Sequence, residues 1–211
     1  MKVRDAMWLA LRDFYANSWR LLVVNTILGA ALVACVLAAL AFPLAAVLVV
    51  AVGPIVAALV HCAVTLVRTG NLELADAWSG FRLHWRRGLA LASLGAAFVV
   101  LGVFGIGFYT TTSLWPLAFL ALYVLVLLVI FQLVLWTVAI AVPDRSLSGV
   151  ARESVALALA RPWQSLVLGL VLLLVNLAGV AAALMPFLTL TVAYTFLVTA
   201  RFVVTPEEEA A

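Results

Sequence analysis

Charged residues fall in only four places along this chain, and the stretches between them are long, apolar and uninterrupted. All 12 Lys/Arg and 9 Asp/Glu lie in the N-terminal segment, in the 68–88 connection, in the 144–161 connection or at the C-terminal end. A charge held at the centre of a bilayer costs several kcal/mol, about 2.5–3.5 on insertion scales, so a membrane chain must segregate its charges in this way. About 20 apolar residues in a helix cross a hydrocarbon core of ~30 Å, and several runs here reach that length. The composition agrees: 68% hydrophobic, 10% charged and a mean hydropathy of +1.28. A soluble domain would be roughly half apolar and about a quarter charged.

The expected fold is therefore all-α, a polytopic helix bundle forming a single membrane domain over residues 1–211. Six spans are expected at about 21–42, 44–67, 89–109, 116–142, 163–183 and 186–204. Prolines punctuate them. Pro43, Pro116, Pro162 and Pro186 stand at or just before helix starts, where the missing N–H costs nothing, and Pro143 and Pro206 follow helix ends. Gly53-Pro54, in V-G-P-I at 52–55, lies inside the second span and is expected to kink it near mid-membrane. The first apolar run is longer than a signal-peptide core and is read as a retained anchor.

Charge asymmetry orients the bundle. The three connections around Phe42-Pro43, Tyr109–Trp115 and Ala183–Met185 carry no charged residue. By the positive-inside rule the charged end is cytoplasmic, with both termini there, in a bacterial cell membrane. The acidic end, 206–211, is expected to be solvated and disordered.

Three amphipathic segments precede spans and align on tryptophan: ANSWRLLVVN (16–25), RLHWRRGLAL (82–91) and ARPWQSLVLG (160–169). Val3, Met7, Leu11 and Phe14 form one helical stripe; Leu74, Trp78, Phe81 and Trp85 form a second; Leu147, Ala151, Val155 and Leu159 form a weaker third. The pattern implies an interfacial helix followed by a transmembrane hairpin, used three times over about 1–67, 71–142 and 145–205. Two spans per unit make these parallel repeats. Trp19, Arg20, Trp78, Phe81, Trp85, Arg86, Arg87, Arg161 and Trp163 are the expected interface set. Indoles anchor at the headgroup layer and arginines snorkel to phosphates, and the same collar could dock a partner; the two roles are compatible.

Chemistry is sparse. His61, Gln132 and Asn176 are the notable polar groups within spans. Interhelical hydrogen bonding explains each of them, and a solute path past Pro54, His61, Gln132 and Asn176 is the alternative. Cys35 and Cys62 sit in apolar runs without metal-ligand companions and read as small hydrophobes. No hydrolase, zincin or nucleotide-binding pattern occurs, so the expectation is a non-enzyme with no catalytic residues, cofactor or metal. The basic residues border spans, which argues for membrane lipids as partners and against nucleic acid.

The stretch GPIVAALVHCAVTLVRTGNLELADAWSGFRLHWRRGLAL (53–91), with VPDRSLSGVARESVALALARPWQSL (142–166), resembles the YesL-like bacterial integral membrane proteins. The resemblance implies a multi-pass protein of unknown biochemical activity that accompanies a membrane transport complex, with carbohydrate ABC systems the implied class. It brings no catalytic residues.

Overall fold

The computed structural model describes residues 3–182 and 184–204, which are helical with short connections and contain no strand. Eight α-helices follow in order: α1 Val3–Ala16, α2 Ser18–Ala41, α3 Gly53–Thr69, α4 Leu74–Thr111, α5 Trp115–Ala141, α6 Leu147–Ala160, α7 Pro162–Ala181 and α8 Val192–Val203. A 3₁₀ stretch, Pro43–Val52, leads into α3, and a π-helical turn, Phe187–Thr191, leads into α8. The all-α expectation holds. The acidic segment 206–211 lies outside the described residues.

Among the described residues, five helical segments are long and apolar enough to cross a bilayer: Ser18–Ala41, Leu44–Thr69, Leu74–Thr111, Trp115–Ala141 and Pro162–Ala181. The segment expected as a sixth span is a shorter apolar helix, Leu188–Val203. A turn in which Leu184 takes a left-handed φ of 66° precedes it. Much of α8 meets protein, since Ala193 and the run from Thr195 to Ala200 are buried.

α3, α5 and α8 touch one another in pairs and form the centre. α1 packs on α8, α4 on α3 and α6 on α5. The deepest burial falls near the charge-bearing ends of the central helices: Ala57–Val67 along α3, Val134–Ala141 in α5 and Thr195–Ala200 in α8. The opposite parts of α4 and α5 are largely exposed, as lipid-facing helices would be. Asp13 and Arg201 join α1 to α8, with Arg201 Nη2 at 2.5 Å and Nε at 2.8 Å from Asp13 Oδ2.

The three tryptophan junctions differ. Asn17 separates α1 from α2 at φ −117°, ψ 20°. Arg161 separates α6 from α7 at φ −139°, ψ 61°, the residue before Pro162 being pushed out of the helical region. Between Arg82 and Leu91 nothing interrupts the helix, so the second amphipathic segment and the following span fuse into the 38-residue α4. At 1.5 Å per residue α4 is about 57 Å long, nearly twice the hydrocarbon core. Its first turn is fixed by a capping box in which the Glu73 backbone N–H donates to Asp76 Oδ2 at 2.8 Å.

The amphipathic half of α4 runs antiparallel along α3 rather than apart from it. Gly88 meets Gly53, and Gly80 meets His61, across a turn where Gly70 supplies a φ of 72°. The charge-free part of α4 begins after Gly88, so Gly53-Pro54 lies level with its start. The break expected in the second apolar segment falls at this level. It takes the form of a change from 3₁₀ to α-helix.

Candidate functional site: a lateral cavity at Gln132

The α3–α4 contact is built from small residues at helical spacing. Gly53, Ala57 and His61 recur every four residues on α3, and Gly80, His84 and Gly88 do so on α4. Such stripes let two backbones approach closely, and polar side chains can then bridge them. His84 is 2% exposed, and its ring centroid lies 5.2 Å from that of His61. His61 is thus a packing element beneath Gly80, paired with a histidine four residues from two glycines.

Below this crossing, toward the charge-free part of α4, lies a cavity of about 440 Å³. Its inner end is formed by Leu91, Trp136 and Phe196, which are buried, and its outer side by Val49, Val99 and Val129, which are exposed. It therefore opens sideways, toward where lipid would be, rather than along the bundle axis. Ala92, Gly95 and Ala96 line it on α4 and keep it wide. The Gln132 amide is its conspicuous polar group. Both Nε2 and Oε1 are buried without a hydrogen-bond partner among the described residues. An unpaired buried amide costs roughly 1–3 kcal/mol, and this one, with two N–H donors and a carbonyl acceptor, is buried in the wall of the cavity.

The other polar residues of the spans lie elsewhere. Asn176 on α7 donates to Leu172 O at 2.8 Å and Thr195 Oγ1 at 2.6 Å, and accepts from Thr191 Oγ1 at 3.1 Å. It ties α7 to the π-helical turn and α8. The cavity lining includes Gly53 and Gln132 but not Pro54, His61 or Asn176. The four candidate path residues are thus distributed over separate contacts.

At the charged end, the aromatic and basic side chains form a surface. Trp19, Trp78, Trp85 and Trp163 are exposed. Arg20 lies over the Trp19 ring at 5.2 Å and also donates to Asn17 Oδ1 and Asn71 Oδ1. Arg86 lies over Trp85 at 5.1 Å, Trp78 stacks on Phe81 at 5.8 Å, and Arg161 is exposed at the α6–α7 junction. Arg87 turns the other way. It donates to Ala139 O at 2.8 Å, Val142 O at 3.2 Å, Arg145 O at 2.5 Å and also to Pro143 O. Arg68 adds Ala141 O at 2.9 Å. Two guanidinium groups thus satisfy carbonyls that the end of α5 leaves without intrahelical partners. Arg68 and His84 escape a reading of the sequence that looks only for interface anchors. The signal for His84 was present in the Gly80–His84–Gly88 spacing.

Both cysteines are free thiols, and no cluster of three or more metal-ligating side chains occurs among the described residues. Comparison with protein-family models, curated proteins and solved structures finds no match to this chain.

Proposed function

We propose that this chain is a non-enzymatic membrane protein that takes a largely apolar ligand sideways from the bilayer into the cavity at Gln132. The observation that carries the reading is the buried, unpaired Gln132 amide in the wall of an otherwise apolar, laterally open space. Pockets that bind small ligands have this character, mostly apolar walls with a few polar groups that fix orientation. The ligand would carry one hydrogen-bonding group, a carbonyl or hydroxyl, able to pair with a side-chain amide.

The charged end is proposed to be cytoplasmic, with the aromatic–arginine collar seated in the headgroup layer. The way α1, α4 and α6 each pack on a central helix supports three parallel units arranged around α3, α5 and α8. The resemblance to YesL-like proteins rests on the two quoted stretches, and it adds an accessory role beside a carbohydrate transport complex. Such a partner would dock on the same collar.

Mass spectrometry of small molecules retained after purification from native membranes tests the cavity. The wild-type protein is expected to retain an apolar species that Gln132→Leu and Gly95→Leu both lose. Equal recovery from all three proteins would overturn the reading. A polar-solute flux in liposomes that Gln132→Leu abolishes would favour a transport path instead.

A further inference from the structure

The continuity of α4 places Arg82 where an isolated interfacial helix would not. Phe81, Trp85, Ala92 and Ala96 share one face of a single rod, so the surface around Arg82 leads directly toward the membrane-facing side of α4. Gly88, six residues beyond Arg82 and packed on Gly53, marks the start of the charge-free stretch. Six residues of helix are about 9 Å, which sets Arg82 within the depth of a headgroup layer.

A second pocket of about 450 Å³ opens there between α3 and α4, lined by Pro54, Phe81, Arg82 and Trp85. It is distinct from the cavity at Gln132, with which it shares no lining residue. Its neighbours' charges are already committed. Arg86 lies over the Trp85 ring, and Arg87 is bound to carbonyls at the end of α5. Arg82 is exposed and has neither an ion pair nor a hydrogen bond among the described residues. An unpartnered guanidinium that shares a pocket with two aromatic residues at this depth matches a phosphodiester in charge and in fork geometry. Aromatic rings at the same level suit the glycerol and upper acyl region beneath the phosphate.

We propose that Pro54, Phe81, Arg82 and Trp85 form a binding site for the headgroup of an anionic phospholipid, with the Arg82 guanidinium on the phosphate. The site would hold a lipid at the α3–α4 crossing whether or not the Gln132 cavity is filled.

The test uses the full chain in nanodiscs made from equal amounts of phosphatidylglycerol and phosphatidylcholine, released intact into a mass spectrometer. Wild-type protein is expected to retain the anionic lipid over the zwitterionic one. Arg82→Gln should lower that preference about fivefold, the size expected for one basic residue at a charged membrane surface. Arg82→Lys should keep part of it, since the charge remains and the fork is lost. Arg152→Gln, at an exposed basic site on α6 outside the aromatic–arginine collar, should leave the preference unchanged. Retention of the full preference by Arg82→Gln overturns the proposal. An equal loss in Arg152→Gln does so too, because it would show diffuse attraction to a basic surface rather than a site.

Discussion

Gly53 and Gly88 meet backbone to backbone: a Cβ on Gly53 would lie 2.4 Å from Gly88 O, and one on Gly88 would lie 2.7 Å from Gly53 O. Neither atom can yield, because both belong to helix backbone. This contact lets α4 lie along α3 and thereby sets the level of the pocket at Arg82 and the cavity at Gln132.

Gly88→Leu is expected to force the two helices apart and to destabilise the protein by about 1–3 kcal/mol, the usual range for overpacking. Gly105 provides the contrast, since nothing lies within 4 Å of a Cβ built there. Gly105→Ala should be neutral, or stabilising by up to about 1 kcal/mol through helix propensity. Thermal unfolding in detergent micelles would separate the two. A Gly88→Leu protein as stable as wild type would show that the helices do not need this contact.

Arg87 should matter far more to stability than its neighbour Arg86. Arg87→Met removes the donor to the carbonyls of Ala139, Val142, Pro143 and Arg145, at and just beyond the end of α5, of which Val142 O keeps the Arg145 N–H. Unpaired buried acceptors cost about 1–3 kcal/mol, and partial access to water should keep the loss within that range. Arg87→Lys should recover only part, because an ammonium lacks the planar fork that reaches several acceptors. Arg86→Gln, which removes only an exposed contact with Trp85, should stay within about 0.5 kcal/mol. Chemical denaturation monitored by tryptophan fluorescence would rank the three. Equal losses at 86 and 87 would contradict the inward role of Arg87.

The amphipathic stripes and charge segregation made the helical architecture legible in the sequence, because burial in lipid leaves little freedom in where a charge can sit. The stripe Leu74–Trp78–Phe81–Trp85 marked one face of a helix correctly. It said nothing about whether that helix would stop before the following span. That outcome depends on local backbone chemistry: Pro162 breaks the third junction, and no comparable residue breaks the second. Arg87 was legible as a basic residue near the membrane, but its partners are carbonyls more than fifty residues away. No spacing rule encodes such a partner. Gln132 stood out as a polar residue in an apolar run, whereas the cavity beside it arises from Ala92, Gly95 and Ala96 on a different helix. Its environment is a tertiary property.

Asp13 and Arg201 are each only 13% exposed at the side chain, so their pairing is a partly desolvated one. Removing one partner strands the other, and Asp13→Ala should therefore cost up to about 3 kcal/mol, with Arg201→Met close to it. The double variant Asp13→Leu/Arg201→Met should recover much of the loss, since apolar replacements of both partners leave no orphaned charge. A double-mutant cycle read from unfolding midpoints checks this. Strict additivity of the single losses would mean that the two residues are not coupled across α1 and α8.

Gln132→Leu should have opposite effects on stability and on ligand retention. In protein stripped of ligand, the substitution removes a buried amide that has no partner and replaces it with a side chain suited to the apolar walls. A gain of roughly 1–2 kcal/mol is expected, the reverse of the usual cost of an unsatisfied polar group. The same change removes the donor and acceptor that would orient a ligand, so added native lipid extract should raise the melting temperature of wild type but not of the variant. Stability gained while binding is lost is the mark of a residue kept for function, as cores that serve only folding have no reason to hold an unpaired amide. Thermal unfolding of delipidated and lipid-supplemented protein measures both effects in one experiment. A variant that loses stability without ligand would show instead that Gln132 is structural and already hydrogen-bonded in the membrane.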